Sequence, residues 1–311
     1  MLGRYDRAMR ARQPVGRLTL LQQAISAIRR NNGALLYVPT NFAGAWTGSA
    51  GTDPVDSVTD VLGLMTDRSY GANNLGPELV DRSIGVIGST YIIRGTSVDV
   101  GGGFYTVTGN NAVASAVASL DPLLTFGKYY RITIEIAAGS SGPVNLHLSG
   151  AQNSLVAPTP FFSQSTPGVY GVTVVMDTAN RDTITGFCGA TGISTTFKVS
   201  VREILGAVAT QATTANKPTV QRPAANNVIR FDSSNDSLSI NLASGGSPFV
   251  RSYTRTGTVS GFTSATTSAF ELGQPTVAGR DVCAIVCAPS TITGADLTAI
   301  ERWAASIGAT L

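Results

Sequence analysis

The chain of 311 residues is 43% hydrophobic and only 13% charged, with 34 glycines and a formal net charge of +3. This length allows one large domain or two of ordinary size, and the hydrophobic fraction is sufficient for a buried core. The low charge and the abundant glycine, serine and threonine favour turn-rich β-structure in an extracellular or particle-borne protein over a cytosolic enzyme. No apolar run reaches the ~18 residues that a membrane span requires, and the start of the chain lacks the apolar segment of a secretory leader.

The first segment, residues 1–33, is predicted to be a basic arm followed by a helix. Positive charge is concentrated here, because the first thirty residues contain seven arginines and one acid, Asp6. Apolar residues then recur at steps of three and four, the spacing of a coiled-coil seam, which predicts a helix over about 17–31. Arg29 and Arg30 complement the helix dipole in the last turn, and the sequence NNG ends the helix.

The arm and the helix together form a predicted docking segment for an acidic surface of a partner protein. The arginines would pair with acids of the partner, and the apolar seam would be buried against it. The predicted docking residues are Arg4, Arg7, Arg10, Arg12, Arg17, Leu18, Leu21, Ile25 and Ile28. Two heptads are too few for an isolated oligomer, so a helix that packs on its own domain is the alternative.

The next two segments differ in their periodicity. Residues 34–77 are rich in glycine, proline, asparagine and threonine, which predicts an irregular connector with some local packing around Trp46 and Leu64. Residues 78–206 contain about eight short runs of alternating valine, isoleucine, threonine and aromatic residues, separated by turn residues. This pattern predicts an antiparallel β-sandwich of the jelly-roll type.

The last two segments are predicted to be a tether and a small domain. Residues 207–224 contain prolines at 218 and 223 among small residues, which predicts an extended tether. Residues 225–311 are predicted to form a β domain, with a hairpin of strands 228–232 and 237–242 and a C-terminal helix capped by Thr293 and Asp296. The predicted fold is therefore mainly β, with an N-terminal helical anchor, an antiparallel sandwich and a second, smaller β domain that ends in a helix.

The sequence gives no signal for catalysis, a metal ion or a cofactor. His147 is the single histidine and has no neighbouring acid in the sequence, and the three cysteines lack the spacing of a zinc site or a disulfide framework. Cys283 and Cys287 are predicted to be buried on one side of a strand. Paired carboxylates could still support glycan cleavage without a histidine. Nucleic acid is not the expected partner, because the arginine-rich arm has one aromatic residue, Tyr5, and no basic stripe continues along the β segments.

Adjacent aromatic residues are the candidates for glycan contact on the sandwich. In a strand, one of two neighbouring side chains points outwards, where an aromatic ring could stack on a sugar. The candidate glycan contacts are Tyr129, Tyr130, Phe161 and Phe162. The alternative is that these rings cover a sheet end or an oligomer contact.

Four stretches resemble structural proteins of tailed bacteriophages over roughly residues 51–240. They are GTDPVDSVTDVLGLMTDRS, FKVSVREILG, ATQATTANKPTVQ and VIRFDSSNDSLSI. In such proteins the last stretch commonly carries Phe-Asp-Gly and precedes a lectin-like β domain, whereas here Ser233 stands in place of the glycine.

The resemblance implies a component of the virion, of the tail-fibre or tail-appendage type, that is often a homotrimer. The expected partners are other virion proteins, at the tail adaptor, the baseplate or the capsid, and a host-surface glycan. The expected role is structural and adhesive rather than enzymatic. The alternatives are a capsid decoration or head-fibre protein and, as a third class, a glycan depolymerase.

Overall fold

The computed structural model describes residues 18–69, 75–79, 95–109, 117–120, 124–149, 160–176, 183–187, 193–242, 249–262, 264–265, 270–273 and 276–311. The protein is mainly β, with antiparallel sheets and two helices in the described residues, as the sequence predicts. The elements before residue 70 are α1 Leu20–Arg30, β1 Ala34–Leu36, β2 Ala45–Trp46 and β3 Leu64–Thr66. Neither helix has the length and apolarity to cross a membrane, as judged over the described residues.

Ten strands follow between residues 75 and 205. They are β4 Leu75–Glu78, β5 Gly95–Gly101, β6 Phe104–Gly109, β7 Val117–Leu120, β8 Tyr129–Ile136, β9 Val144–Ser149, β10 Phe162–Gln164, β11 Gly168–Val175, β12 Thr183–Phe187 and β13 Ser194–Ile204. The remaining elements are β14 Val208–Thr210, the 3-10 turn Thr214–Asn216, β15 Thr219–Gln221, β16 Val228–Arg230, β17 Leu238–Asn241, β18 Phe249–Thr254, β19 Gly257–Ser260, β20 Ser264–Ala265, β21 Phe270–Leu272, β22 Asp281–Ala288 and α2 Gly294–Ser306.

The two ends of the described chain build one module, which we call the base module (residues 18–69 and 207–311). Its first sheet has the order β15-β16-β22-β18-β19, with β1 also paired to β22. Its second sheet has the order β2-β3-β14-β17-β21-β20. Each sheet therefore combines strands from before residue 70 with strands from after residue 206.

The described residues between 75 and 205 form a separate pair of sheets that we call the inserted sandwich. One sheet has the order β11-β8-β13-β6-β5, with β4 also paired to β13, and the other has the order β10-β9-β12-β7. On β8 and β13 alternate side chains point into the core between these sheets, including Ile132, Ile134, Phe197 and Val199. This is the period of two that the sequence predicts for this segment.

The inserted sandwich occupies the loop of a β-hairpin of the base module. Strands β3 and β14 are antiparallel neighbours, and the amide of Asp67 donates to the carbonyl of Ala207 at 2.9 Å. On the sandwich side, Leu75 pairs with Ile204. The chain therefore leaves and re-enters the base module at adjacent points, which is the arrangement in which domain insertion is tolerated best.

The base module has three layers, namely the two helices, the first sheet and the second sheet. Strand β22 lies in the middle layer, so both of its faces are covered. Ile285 and Cys287 contribute to the core between the sheets, whereas Ala284 and Val286 pack beneath the helices. A strand that is buried on both faces needs no polar alternation, which explains the run VCAIVCA. Cys283 and Cys287 are buried, as predicted.

Helix α1 packs inside the base module, and this corrects its predicted role as a docking helix. Ile28 is fully buried, and Leu21 and Ile25 are partly buried in the cluster formed with α2 and the first sheet. Leu18 lies before the helix and is 53% exposed. The spacing of three and four marks the apolar face of a helix but does not say whether its cover is another chain or the same one. The predicted docking arginines from Arg4 to Arg17 lie outside the described residues.

The residues that cap the N-termini of the two helices are also different in part from those predicted. Thr19 caps α1, because its hydroxyl accepts from the amide of Gln22 while the Gln22 side chain accepts from the amide of Thr19. Thr293 makes no side-chain cap on α2. Its predicted capping partner, Asp296, instead accepts from Arg30 and Asn31 and so ties α2 to the end of α1.

Three further predictions about residues 34–242 are wrong for a common reason. The connector contributes β1, β2 and β3 to the base module, and the tether contributes β14 and β15. The strands of the predicted hairpin, β16 and β17, belong to different sheets. Short strands of two to four residues carry little periodicity, and the partners of several of them lie far away in the sequence. The predicted packing of Trp46 with Leu64 is confirmed, and both lie in one cluster at the junction with the sandwich.

Candidate binding face

The candidate functional surface is the outer face of the sheet β11-β8-β13-β6-β5, which we call the outer face. The burial pattern of β8 and β13 places one set of side chains in the core and the alternate set outside. On β8, an inner strand of this sheet, the outward set is polar, with Thr133 exposed and Glu135 half-buried. A sheet with one apolar and one polar face presents the polar face for contact.

One row of side chains crosses the outer face from an apolar to an aromatic residue. Val169 pairs with Glu135, and Glu135 pairs with Lys198 on the next strand. The Lys198 ammonium lies 5.6 Å from the centre of the Phe104 ring. Val169 is 68% exposed. The row thus places an apolar side chain, a carboxylate, an ammonium group and a ring next to each other on the outer face.

A second feature of the outer face is a pair of hydroxyl contacts between β6 and β13. The hydroxyl oxygens of Thr106 and Thr196 are 2.7 Å apart, and those of Thr108 and Ser194 are 2.6 Å apart. In each contact either oxygen can be the donor, so each pair has donor and acceptor capacity left for a further partner. Small hydroxyl groups held in fixed positions on a sheet are suited to hydrogen-bond a polar ligand.

The base module closes one end of the outer face. Arg131, on β8, donates to the carbonyl of Gly51 and lies 5.1 Å from the Trp46 ring. The amide of Thr173, on β11, donates to the carbonyl of Ala50. Burial lowers the pKa of Arg131 to about 10, which still leaves the guanidinium charged at neutral pH. This contact fixes the sandwich against the base module at the point where the outer face begins.

The four predicted glycan contacts do not line this face as free rings. Tyr130 is buried in the core of the sandwich, and its hydroxyl accepts from the amide of Thr125. Tyr129 is next to Tyr130 in the strand, so its side chain points to the opposite face of the sheet. There it packs in the cluster of Trp46 and Leu64 at the junction of the modules, and burial raises the pKa of its hydroxyl. Phe161 and Phe162 are partly buried against the core, and the Phe162 ring lies 5.8 Å from that of Tyr170. The sequence shows that two adjacent strand residues point to opposite faces of the sheet. It does not show which other residues cover the side chain that points outwards.

Phe104 and Lys198 are not among the contact residues that the sequence predicts. The strand TTFKVSVRE shows that Lys198 is on the outward set, and FYTVTG shows the same for Phe104. Only the register of β6 against β13 brings them together, and that register is a long-range property.

The acidic turn after β16 is a structural turn. The hydroxyl of Ser234 donates to one carboxylate oxygen of Asp232, and the amides of Ser234, Asn235 and Asp236 donate to the other. The hydroxyl bond first, and then the amide bonds, lower the pKa of Asp232 to about 2. Asp236 accepts from the amide of Asp232, and burial raises its pKa. Within the part of the chain that the structure describes, no three His, Cys, Asp or Glu side chains come close enough to hold a metal ion.

Comparisons with known proteins give the following result. No protein-family model and no curated protein matches the sequence. A solved structure described as "CBM4 structure and function" is similar at 18% identity and a TM-score of 0.28, over 41% of this chain and 94% of that one. A tandem of two modules, CBM22-1 and CBM22-2 of Xyn10C from Paenibacillus barcinonensis, is similar at 9% identity and a TM-score of 0.24, over 62% of this chain and 82% of that one. Both are carbohydrate-binding modules, and similarity at this level does not assign their ligands to this chain.

Proposed function

We propose that the protein is a structural component of a phage virion, of the tail-fibre or tail-appendage type. In this role the base module attaches to the particle, and the inserted sandwich presents its outer face to a glycan on the host surface. The observation that carries the proposal is the placement of the sandwich in a hairpin loop of the base module. The base module covers one end of the outer face, whereas Thr133 and Val169, farther along this face, are exposed. The resemblance of residues 51–240 to tailed-phage proteins supports the same role.

The chemistry of the outer face suits a polar, hydroxylated ligand. The Thr106–Thr196 and Thr108–Ser194 pairs offer both donors and acceptors at fixed positions. Glu135 and Lys198 add one charged acceptor and one charged donor beside them. This is a binding role, and no catalytic step is proposed. The resemblance implies three copies per fibre, and three linked copies would raise the apparent affinity for a glycan that each copy binds weakly.

The location on the particle can be measured with a tag fused to the exposed C-terminal residue Leu311. Labelled particles viewed by electron microscopy are expected to show the tag at the tail. Label distributed over the capsid shell would contradict the tail assignment and would support a capsid decoration protein instead.

The role of the outer face in glycan binding can be tested with a variant that removes hydroxyl groups from this face but keeps the shape of the side chains. The double substitution Thr106→Val and Thr196→Val removes both partners of one hydroxyl contact, which costs little stability when the replacements have the same shape. We expect its affinity for purified host polysaccharide to fall about tenfold, the effect of losing one or two neutral hydrogen bonds, about 1.4 kcal/mol.

The matched control for this experiment is Thr298→Val on α2, which removes an exposed threonine hydroxyl from the base module. This control is expected to bind polysaccharide as the unmodified protein does. Equal affinities of the double variant, the control and the unmodified protein would contradict the assignment of the outer face.

A further inference from the structure

A half-buried guanidinium lies on the outer face, close to the base module. Arg131, on β8, lies between the buried residues Tyr130 and Ile132, so its side chain is on the outer side of the sheet. A Cβ atom on Gly171, in the neighbouring strand β11, would collide with Nη2 of Arg131 and would lie 3.1 Å from Nε. The guanidinium therefore lies over the backbone of Gly171, where the glycine leaves room for it.

The guanidinium of Arg131 is held in place through one of its nitrogens and one of its faces. Nη1 donates to the carbonyl of Gly51 and to the hydroxyl of Thr173, and Cζ lies 5.1 Å from the centre of the Trp46 ring. Nε and Nη2 donate to no described residue, and they are not among the polar atoms that are both buried and unpartnered. Arg131 thus presents two fixed donors at the surface, where a ligand can reach them without a cavity.

The positive charge of Arg131 has no carboxylate partner in the part of the chain that the structure describes. The residue opposite it on β13 is a second arginine, Arg202, whose Nε lies 3.6 Å from a carboxylate oxygen of Glu78. The next charged pair along the face, Glu135 and Lys198, adds no net charge. Like charges at opposite positions of two strands repel each other, so an anion bound to Arg131 would be favourable.

An exposed hydroxyl group lies beside the two free donors. Thr133 is the next outward residue after Arg131 on β8, and it pairs with Gly171 on β11. Opposite residues of an antiparallel pair have Cβ atoms about 5 Å apart. Because Nη2 of Arg131 lies over Gly171, the Thr133 hydroxyl is within reach of a group that binds to this nitrogen.

We infer that Arg131 and Thr133 bind a carboxylate group of the ligand, so that the glycan of the outer face is an acidic one that contains carboxylated sugars. One carboxylate oxygen would accept from Nε and the other from Nη2, the two-point arrangement that a guanidinium offers to a carboxylate. The Thr133 hydroxyl would donate to the same carboxylate or bind the adjoining sugar. This inference rests on the proposed glycan-binding role of the outer face and specifies the class of glycan.

The test compares carboxylated glycans with neutral ones. The full chain, labelled with a fluorophore, is applied to an array that contains glycans with uronic or sialic acids and glycans without charge. We expect the carboxylated glycans to be retained. Each retained glycan is then titrated at one ionic strength in its native form and in a form whose carboxylates are reduced to alcohols. The dissociation constant is expected to rise about tenfold on reduction, because the charged hydrogen bonds are lost.

Four variants test whether Arg131 is responsible. Gly171→Ala retains every charge but places a Cβ atom where Nη2 lies, so the guanidinium has to move. It is expected to weaken binding of the carboxylated glycan about tenfold, as is Arg131→Met. Gly76→Ala is the matched control, because its Cβ atom would meet no atom closer than 3.5 Å, and it is expected to bind as the unmodified protein does. Thr133→Val, at an exposed position, is expected to weaken binding about threefold and is the readout if the first two variants do not fold.

The outcomes separate this inference from the proposed function. Retention of neutral glycans only, or equal affinity for the native and the reduced form, would overturn the inference and leave glycan binding by the outer face in place. Unchanged affinity for the carboxylated glycan in every folded variant would place its carboxylate elsewhere and would also overturn the inference. Retention of no glycan on the array would overturn the proposed glycan-binding role, and the inference with it.

Discussion

Replacing Ile28 with alanine is expected to lower the free energy of unfolding of the base module by about 2–5 kcal/mol. Ile28 is fully buried between α2 and the first sheet, in a cluster that includes Leu35, Val286 and Ile300. Loss of its side chain removes apolar contacts and leaves a cavity that the surrounding layers can close only in part. Urea unfolding followed by circular dichroism measures the effect.

Leu18→Ala is the matched control for this substitution. Leu18 lies two residues before α1 and is 53% exposed, so its truncation is expected to change stability by less than about 0.5 kcal/mol. The result separates two roles for the N-terminal helix. Unchanged stability of Ile28→Ala, together with loss of the protein from assembled particles, would restore the helix to a docking role.

The second large effect is a dependence of stability on pH that is assigned to Asp67. This side chain is fully buried, and burial is the main cause that raises its pKa from 3.8 to about 6. The folded state therefore holds a proton that the unfolded state releases more easily. The resulting stabilisation is complete below pH 3.8 and is lost as the pH rises through about 6.

The neighbours of Asp67 do not change the direction of this effect. Amide hydrogen bonds from Leu35, Ser69 and Ala207 lower its pKa, but by less than burial raises it. The nearby thiol of Cys287 has a raised pKa because of its own burial, so it stays neutral over this range. The full difference corresponds to about 3 kcal/mol, of which about 2 kcal/mol is gained between pH 7.5 and pH 4.5.

Asp67→Asn tests this effect, because it removes the charge and keeps an oxygen for the amides of Leu35 and Ser69. The unmodified protein is expected to gain about 2 kcal/mol relative to the variant when the pH falls from 7.5 to 4.5. The acids Asp60, Asp232 and Asp296, whose pKa values are lowered, are present in both proteins and cancel in the difference. Parallel stability curves for the two proteins in urea titrations would rule out a titrating Asp67.

Local patterns in the sequence predicted the local elements well. The alternation of YYRITIEI and FKVSVREI identified β8 and β13, and the apolar stripe identified α1 to within three residues of each end. The burial of Cys283 and Cys287 followed from the apolar run around them. In each of these cases a single element of eight or more residues carries enough periodicity to be recognised.

The connections between elements were predicted poorly, because they depend on contacts that are distant in sequence. Val208–Thr210 has only three residues, and small side chains and prolines follow it, so the sequence indicates a tether rather than a strand. Its partners are β3, far towards the N-terminus, and β17. The outer face was only partly predictable for the same reason, since the contact of Lys198 with Phe104 depends on strand register.

Removal of the inserted sandwich tests the organisation of the chain most directly. In this experiment residues 70–205 are replaced by a turn of about four glycine and asparagine residues, a composition that suits a tight hairpin. Because Asp67 and Ala207 are already hydrogen-bonded neighbours, we expect the shortened chain to fold and to unfold cooperatively in urea, with near-UV circular dichroism from the buried Tyr253 and Trp303. A shortened chain that stays unfolded, while residues 207–311 alone fold cooperatively, would contradict the account.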